Sequence, residues 1–327
     1  MSGGLWAPER RALSSGLVLT VTLVAAEALA VVTVMPLVIR DLGGIEWYGW
    51  VFSAFFLANL VGIVIAGGLV DRGTGLAPPL VFGLACFAVG LVLAGLAPSM
   101  PLLVLARVLQ GLGAGFEPPV AYVAIGRYLP DDLRPRMFAV LSTAWVLPGV
   151  IGPAIAGFVG EAVGWRWVFL GVVPLVAVAA AITVPALRDL DRRTAAAGEA
   201  GAAYARPDTR AGPRRDSLRV RVPLALAIAG GAGLLLAGLT ALPVEPALGV
   251  ALALGGLAVG VPAYRRLVPP GTLAARPVLP AAVLLRGLLT FTFFAADAYV
   301  PLALVEVRGT SVAVAGLALT AATLAWT

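Results

Sequence analysis

Five polar side chains lie where a bilayer would make them costly: Glu27, Arg107, Gln110, Glu117 and Asp297, each inside a long apolar run. Such groups face a bundle interior or a water-filled cavity and mark functional sites. A carboxylate there can take up and release a proton as its exposure to water alternates. Glu27, Glu117 and Asp297 are therefore candidates for proton coupling or substrate contact, with hydrogen bonding between helices as the structural alternative. An arginine stays charged and suits an anionic group or a carboxylate partner. Arg107 and Gln110 are three residues apart and share a helix face, where they either organise the bundle or meet substrate. Glu117 is ten residues beyond Arg107, about 15 Å along the axis and about 80° around it. A direct Arg107–Glu117 pair is not expected.

What the chain lacks narrows the chemistry further. It has no His, one Cys (Cys86), and 23 basic residues, all of them Arg. An intrachain disulfide and a Ser-His-Asp relay are excluded, and a Cys/His zinc site is not expected. The sequence predicts no catalytic residue, metal or cofactor, so proton chemistry falls to carboxylates.

These residues need a membrane scaffold to position them. The 327 residues are 60% hydrophobic and 12% charged, with mean hydropathy +0.99. Soluble domains carry about 25% charged residues. The expectation is an all-α, polytopic membrane bundle of about nine to ten transmembrane helices. Spans are read at about 16–40, 47–70, 77–97, 101–125, 137–160, 166–187, 223–242, 246–264 and 279–305, with a last run from about 311 to Thr327. Arg10-Arg11 before the first span reads as a cytoplasmic flank of a retained helix, because the apolar run is too long for a signal peptide. Pro118-Pro119 should kink the fourth span. The last run, of about 17 residues, is at the lower limit for a span. It reads as a cut through a helical array.

Arginine placement gives an orientation. With the N-terminus inside, 18 arginines fall in inside segments, 3 in outside segments (Arg40, Arg166, Arg308) and 2 within spans (Arg107, Arg286). That asymmetry is the positive-inside pattern. The expected organisation is residues 1–187 as an N-terminal six-helix bundle, 188–222 as a mobile basic cytoplasmic linker, 223–264 as two inserted helices, and 265–327 as an incomplete start of a second bundle. Glu306 and Arg308, at a span end, are expected to be solvated. The charge speaks to topology at a lipid bilayer and not to nucleic acid.

Several short motifs agree with this layout. Arg107-x-x-Gln110-Gly111-x-Gly113 resembles the fourth-helix motif of major facilitator superfamily transporters. Gly67-x-x-x-Asp71-Arg72 resembles the start of that superfamily's cytoplasmic loop motif. Glu27, nine residues before Pro36, is similar to the helix 1 motif of the fourteen-helix drug:proton antiporters. Gly164-Trp165-Arg166-Trp167-Val168-Phe169 resembles their helix 6 opening, and the two inserted helices match their layout. There are departures. After Arg72 the expected basic residues give way to Gly73-Thr74-Gly75-Leu76. Of the fifth-helix glycine ladder only Gly152-Pro153-x-x-x-Gly157 remains, with Ala139 and Pro148 at earlier glycine positions.

The resemblance implies a non-enzymatic transporter in the cell membrane: proton-coupled efflux of a small amphipathic or cationic compound by alternating access. It implies a loop latch at Gly67, Asp71 and Arg72. Gly111, Gly113, Gly115, Gly152, Pro153 and Gly157 are expected at close helix contacts. The competing expectations are a membrane enzyme acting on lipid and a non-transporting transporter fragment. A chain ending within the second half is expected not to complete the cycle, to pack poorly after about residue 265, and to leave Asp297 facing lipid or a non-native neighbour.

Overall fold

The computed structural model describes residues 4–202 and 218–326, with side chains to 196 in the first segment and to 322 in the second. Among the described residues there are helices and no strands. The helices are α1 (Arg11–Leu42), α2 (Tyr48–Asp71), α3 (Ala77–Gly95), α4 (Met100–Ala114), α5 (Glu117–Tyr128), α6 (Arg134–Ala162), α7 (Arg166–Leu170), α8 (Val172–Ala202), α9 (Leu218–Ala241), α10 (Pro246–Leu267), α11 (Leu279–Glu306) and α12 (Val312–Trp326). Eight spans among them are long and apolar enough to cross a membrane, with α7 and α8 counting as one. The fourth expected span is present but divided, and α12 is shorter.

That division has a local cause. Prolines at 118 and 119 have no N–H to donate back along a continuous helix. The helix closes with a tightened turn, in which Phe116 N–H donates to the Gly113 carbonyl at 3.1 Å. It restarts at Glu117, with the prolines in the first turn of α5, where a missing donor costs nothing.

Two ends extend beyond the apolar runs. α8 continues to Ala202, through 15 residues expected to be linker. Alanine-rich sequence propagates a helix by propensity without an apolar stripe. α9 begins at Leu218, and the rest of the expected linker, with its expected mobility, lies outside the described residues.

α1 is the hub. Its most apolar stretch is 72% buried, against 22% for α11 and 17% for α9 and α10. It packs on α6, α8 and α11, while α4 lies between α2 and α3, and α9 pairs with α10. α12 lies on α6, where Glu161 accepts from the Val312 N–H at 2.7 Å and so caps the helix. On α11 only Asp297, Ala298, Pro301 and Val305 are buried.

Polar ties join the ends of the spans. Asp41, near the end of α1, accepts from Trp165 Nε1 at 3.0 Å and Arg166 at 2.6 Å. The Trp-Arg pair thus fastens the start of α7 to α1. Glu306 is not simply solvated: Arg40 reaches it at 3.2 Å from α1. At the other end Asp191 of α8 accepts from the Leu76 and Ala77 N–H groups, each at 2.9 Å. It caps α3 from a different helix, and the Tyr128 hydroxyl donates to it at 3.3 Å.

Candidate functional site

The fourth-helix motif builds a dry polar centre. Arg107 is 2% exposed, Glu27 1% and Gln110 0%. The Arg107 guanidinium forms an ion pair with Glu27 of α1, donates to Gln110 Oε1 at 2.5 Å, and donates through Nε to the Val51 carbonyl of α2 at 3.3 Å. The Phe55 ring closes the remaining side, 4.2 Å from the guanidinium carbon, a cation–π contact strengthened by desolvation. One charge is therefore shared among α1, α2 and α4. Glu27 Oε2 and Gln110 Nε2 have no hydrogen-bond partner among the described residues.

Small residues let the helices close around this centre. A Cβ on Gly111 would run into the Phe55 carbonyl, and one on Gly115 into the Asn59 carbonyl, both on α2. Gly113 faces the other way, against the Gly83 carbonyl of α3. The alternating glycines thus place α4 in contact with both neighbours. A Cβ on Gly157 would lie 2.9 Å from the Ala313 backbone of α12, and the Pro153 carbonyl faces Gly316 at 2.6 Å from where its Cβ would be. A Cβ on Gly152 would meet only Pro148 of its own helix, at 4.0 Å.

Glu117 stands apart from the Arg107 centre. It begins α5, is 6% exposed, and its Oε1 has no partner. It lines a cavity of about 670 Å³ bounded by α1, α5, α6 and α11. The walls carry Tyr122, Phe138, Trp145 and Phe293, with Arg286 from α11. The carboxylate and the aromatic walls suit an amphipathic guest: flat apolar surface with few polar groups is what ligand cavities offer. Sequence reading left this cavity unassigned, because its lining comes from four helices. The signals available were Glu117, already a candidate, and Arg286, an arginine inside a span.

Asp297 corrects an expectation. It is 4% exposed on α11 and does not face lipid. Next to it the Tyr48 hydroxyl of α2 donates to the Ala298 carbonyl, and the Tyr48 and Tyr299 rings lie 5.3 Å apart. That contact covers this turn of α11, and Asp297 Oδ2 remains without a partner. The loop-motif residues are open instead: the Asp71 and Arg72 side chains are exposed, and a Cβ on Gly67 would meet nothing within 4 Å.

A membrane-spanning bundle with a buried ion pair and a separate aromatic cavity defines a transporter-like protein. Residues 17–327 match the Major Facilitator Superfamily, and the chain belongs to that family. It is a multi-pass membrane protein. It is 34% identical over 161 residues to the multidrug transporter protein MdtP of Bacillus subtilis, covering 49% of this chain and 30% of that protein. It is 31% identical over 160 residues to multidrug resistance protein 3 of the same organism, covering 49% and 31%. A probable multidrug-efflux transporter of Mycobacterium tuberculosis is 32% identical over 177 residues, covering 54% and 37%. The matched segments thus span about a third of the length of these curated relatives.

Proposed function

We propose that the protein is a secondary active transporter that expels small amphipathic compounds across the cell membrane in exchange for protons, by alternating access. The observation that carries this reading is Glu117, a buried carboxylate lining an aromatic cavity, whose Oε1 has no hydrogen-bond partner among the described residues. It has no ion-pair partner among the described residues, so loading a proton there breaks no salt bridge. Glu27 gates the cycle through Arg107, because any change at Glu27 leaves a charge unpaired among three helices. Asp297 is a second buried carboxylate, further along α11. Asp71, Arg72 and Gly67 act as a latch at the cytoplasmic ends of α2 and α3. The N-terminus is cytoplasmic, and residues 1–187, 188–222, 223–264 and 265–327 act as first bundle, linker, inserted pair and start of a second bundle.

The test uses inverted vesicles from cells producing the protein, energised to an acidic interior. Ethidium should accumulate inside, and collapsing the proton gradient should release it. Glu117→Gln should abolish gradient-driven uptake while the protein remains in the membrane. Uptake that persists without a proton gradient, or is unchanged in Glu117→Gln, would reject the proton-coupled reading.

A further inference from the structure

The cavity lined by Glu117 is also lined by a cation, the exposed side chain of Arg286. Arg286 lies seven residues into α11, about 10 Å along the span. Thr290, Phe293 and Phe294 follow it at i+4, i+7 and i+8 and line the same cavity, so one face of α11 is turned to it. Among the described residues Arg286 has no hydrogen bond or ion pair. Its guanidinium keeps its proton under all physiological conditions. Glu117 lines the cavity from α5, and its buried Oε1 has no partner among the described residues. The two charges belong to different helices, and the aromatic rings of Tyr122, Phe138 and Trp145 form flat apolar wall around them.

A guest must answer both charges. A simple cation gains the Glu117 carboxylate but brings a like charge into the same cavity as Arg286, and like-charge juxtaposition disfavours wrong partners. A guest that also carries a carboxylate supplies what Arg286 lacks, in the bidentate geometry guanidinium favours. We propose that Arg286 makes this cavity selective for zwitterionic aromatic amphiphiles, with the anionic group at Arg286 and the cationic end at Glu117. This rests on reading the cavity as the substrate site. A residue that merely reaches back to lipid headgroups would confer no such selectivity.

Two dyes differing in one group test it. Rhodamine 110 joins a cationic xanthylium to a free carboxylate, and rhodamine 123 is its methyl ester, a cation only. Binding of each to the purified protein is measured by fluorescence anisotropy. Rhodamine 110 should bind at least about tenfold more tightly, the usual scale for a hydrogen bond to a charged group. Arg286→Gln should remove that preference by weakening rhodamine 110 alone, and Arg286→Lys should restore part of it. Tighter or equal binding of rhodamine 123 to the wild type, or equal weakening of both dyes by Arg286→Gln, would overturn the selectivity. If Glu117→Gln still weakens binding in that case, the cavity stands as a substrate site of different preference. Binding of neither dye to the wild type would overturn both readings.

Discussion

Replacing Glu27 with glutamine removes the only counter-charge of a guanidinium that is 2% exposed. The side chain keeps its shape, and its amide oxygen can still accept one N–H. Arg107 also keeps Gln110, the Val51 carbonyl and the Phe55 ring face. Two routes give the cost. Stripping one partner from a buried ion pair costs about 3–5 kcal/mol, much of it the remaining buried charge. Holding an unpaired arginine at mid-membrane costs about 2.5–3.5 kcal/mol on the insertion scale. With three contacts retained, the low end applies: about 3 kcal/mol, or roughly a hundredfold in the folded-to-unfolded ratio. Removing both charges, as in Glu27→Gln with Arg107→Met, should recover most of this loss, since an apolar replacement of the whole pair is close to neutral. Cys86, the one thiol and half-buried on α3, gives the assay: its labelling by a maleimide dye during heating in detergent reports unfolding. Glu27→Gln should unfold at clearly lower temperature than wild type, and the double variant should lie between them. Wild-type stability in Glu27→Gln, or a double variant no better than the single, would refute the buried-charge argument.

Asp191→Ala should remove the cross-helix cap of α3 and cost about 1 kcal/mol, the usual value for an N-cap. Hydrogen exchange at Leu76 and Ala77 should accelerate there and remain unchanged in α5. Gly111→Val should push α2 away from α4, because its side chain would occupy the Phe55 carbonyl. Folded yield from membranes should fall severalfold, while Gly126→Ala, with open space around its Cβ site, should leave the yield unchanged.

How far the sequence led depends on what kind of interaction was at stake. Apolar runs located the helices, since a bilayer demands length and hydropathy from each segment separately. Pro118-Pro119 announced a kink in the fourth span because proline chemistry is local, and the structure goes further, dividing the span into two helices. The reach of α8 to Ala202 was missed, for an alanine-rich helix outside the apolar run leaves no hydrophobic signal. Arg107 and Gln110 stood out by cost alone, but the partner of Arg107 on α1, 80 residues earlier, was not named, because spacing along the chain says nothing of contacts between distant helices. The caps made by Asp191 and Glu161 were invisible, because each joins residues more than 100 positions apart. Asp297 was expected against lipid; the ring of Tyr48, arriving from α2, changes that surrounding.

The gap between Ala114 and Glu117 also bears on hydration. The two pieces of the fourth span, 15 and 12 residues, measure about 22 and 18 Å, and neither crosses a hydrocarbon core of about 30 Å alone. The junction therefore falls at mid-depth, where Pro118 and Pro119 cannot serve the carbonyls of Ala114 and Gly115 as a continuous helix would. Such backbone is tolerated in a membrane only when protein covers it or it borders water. Pro118 itself lines the cavity. Glu117 lines it too, so the restart of the helix borders an open space at the depth where the membrane is driest.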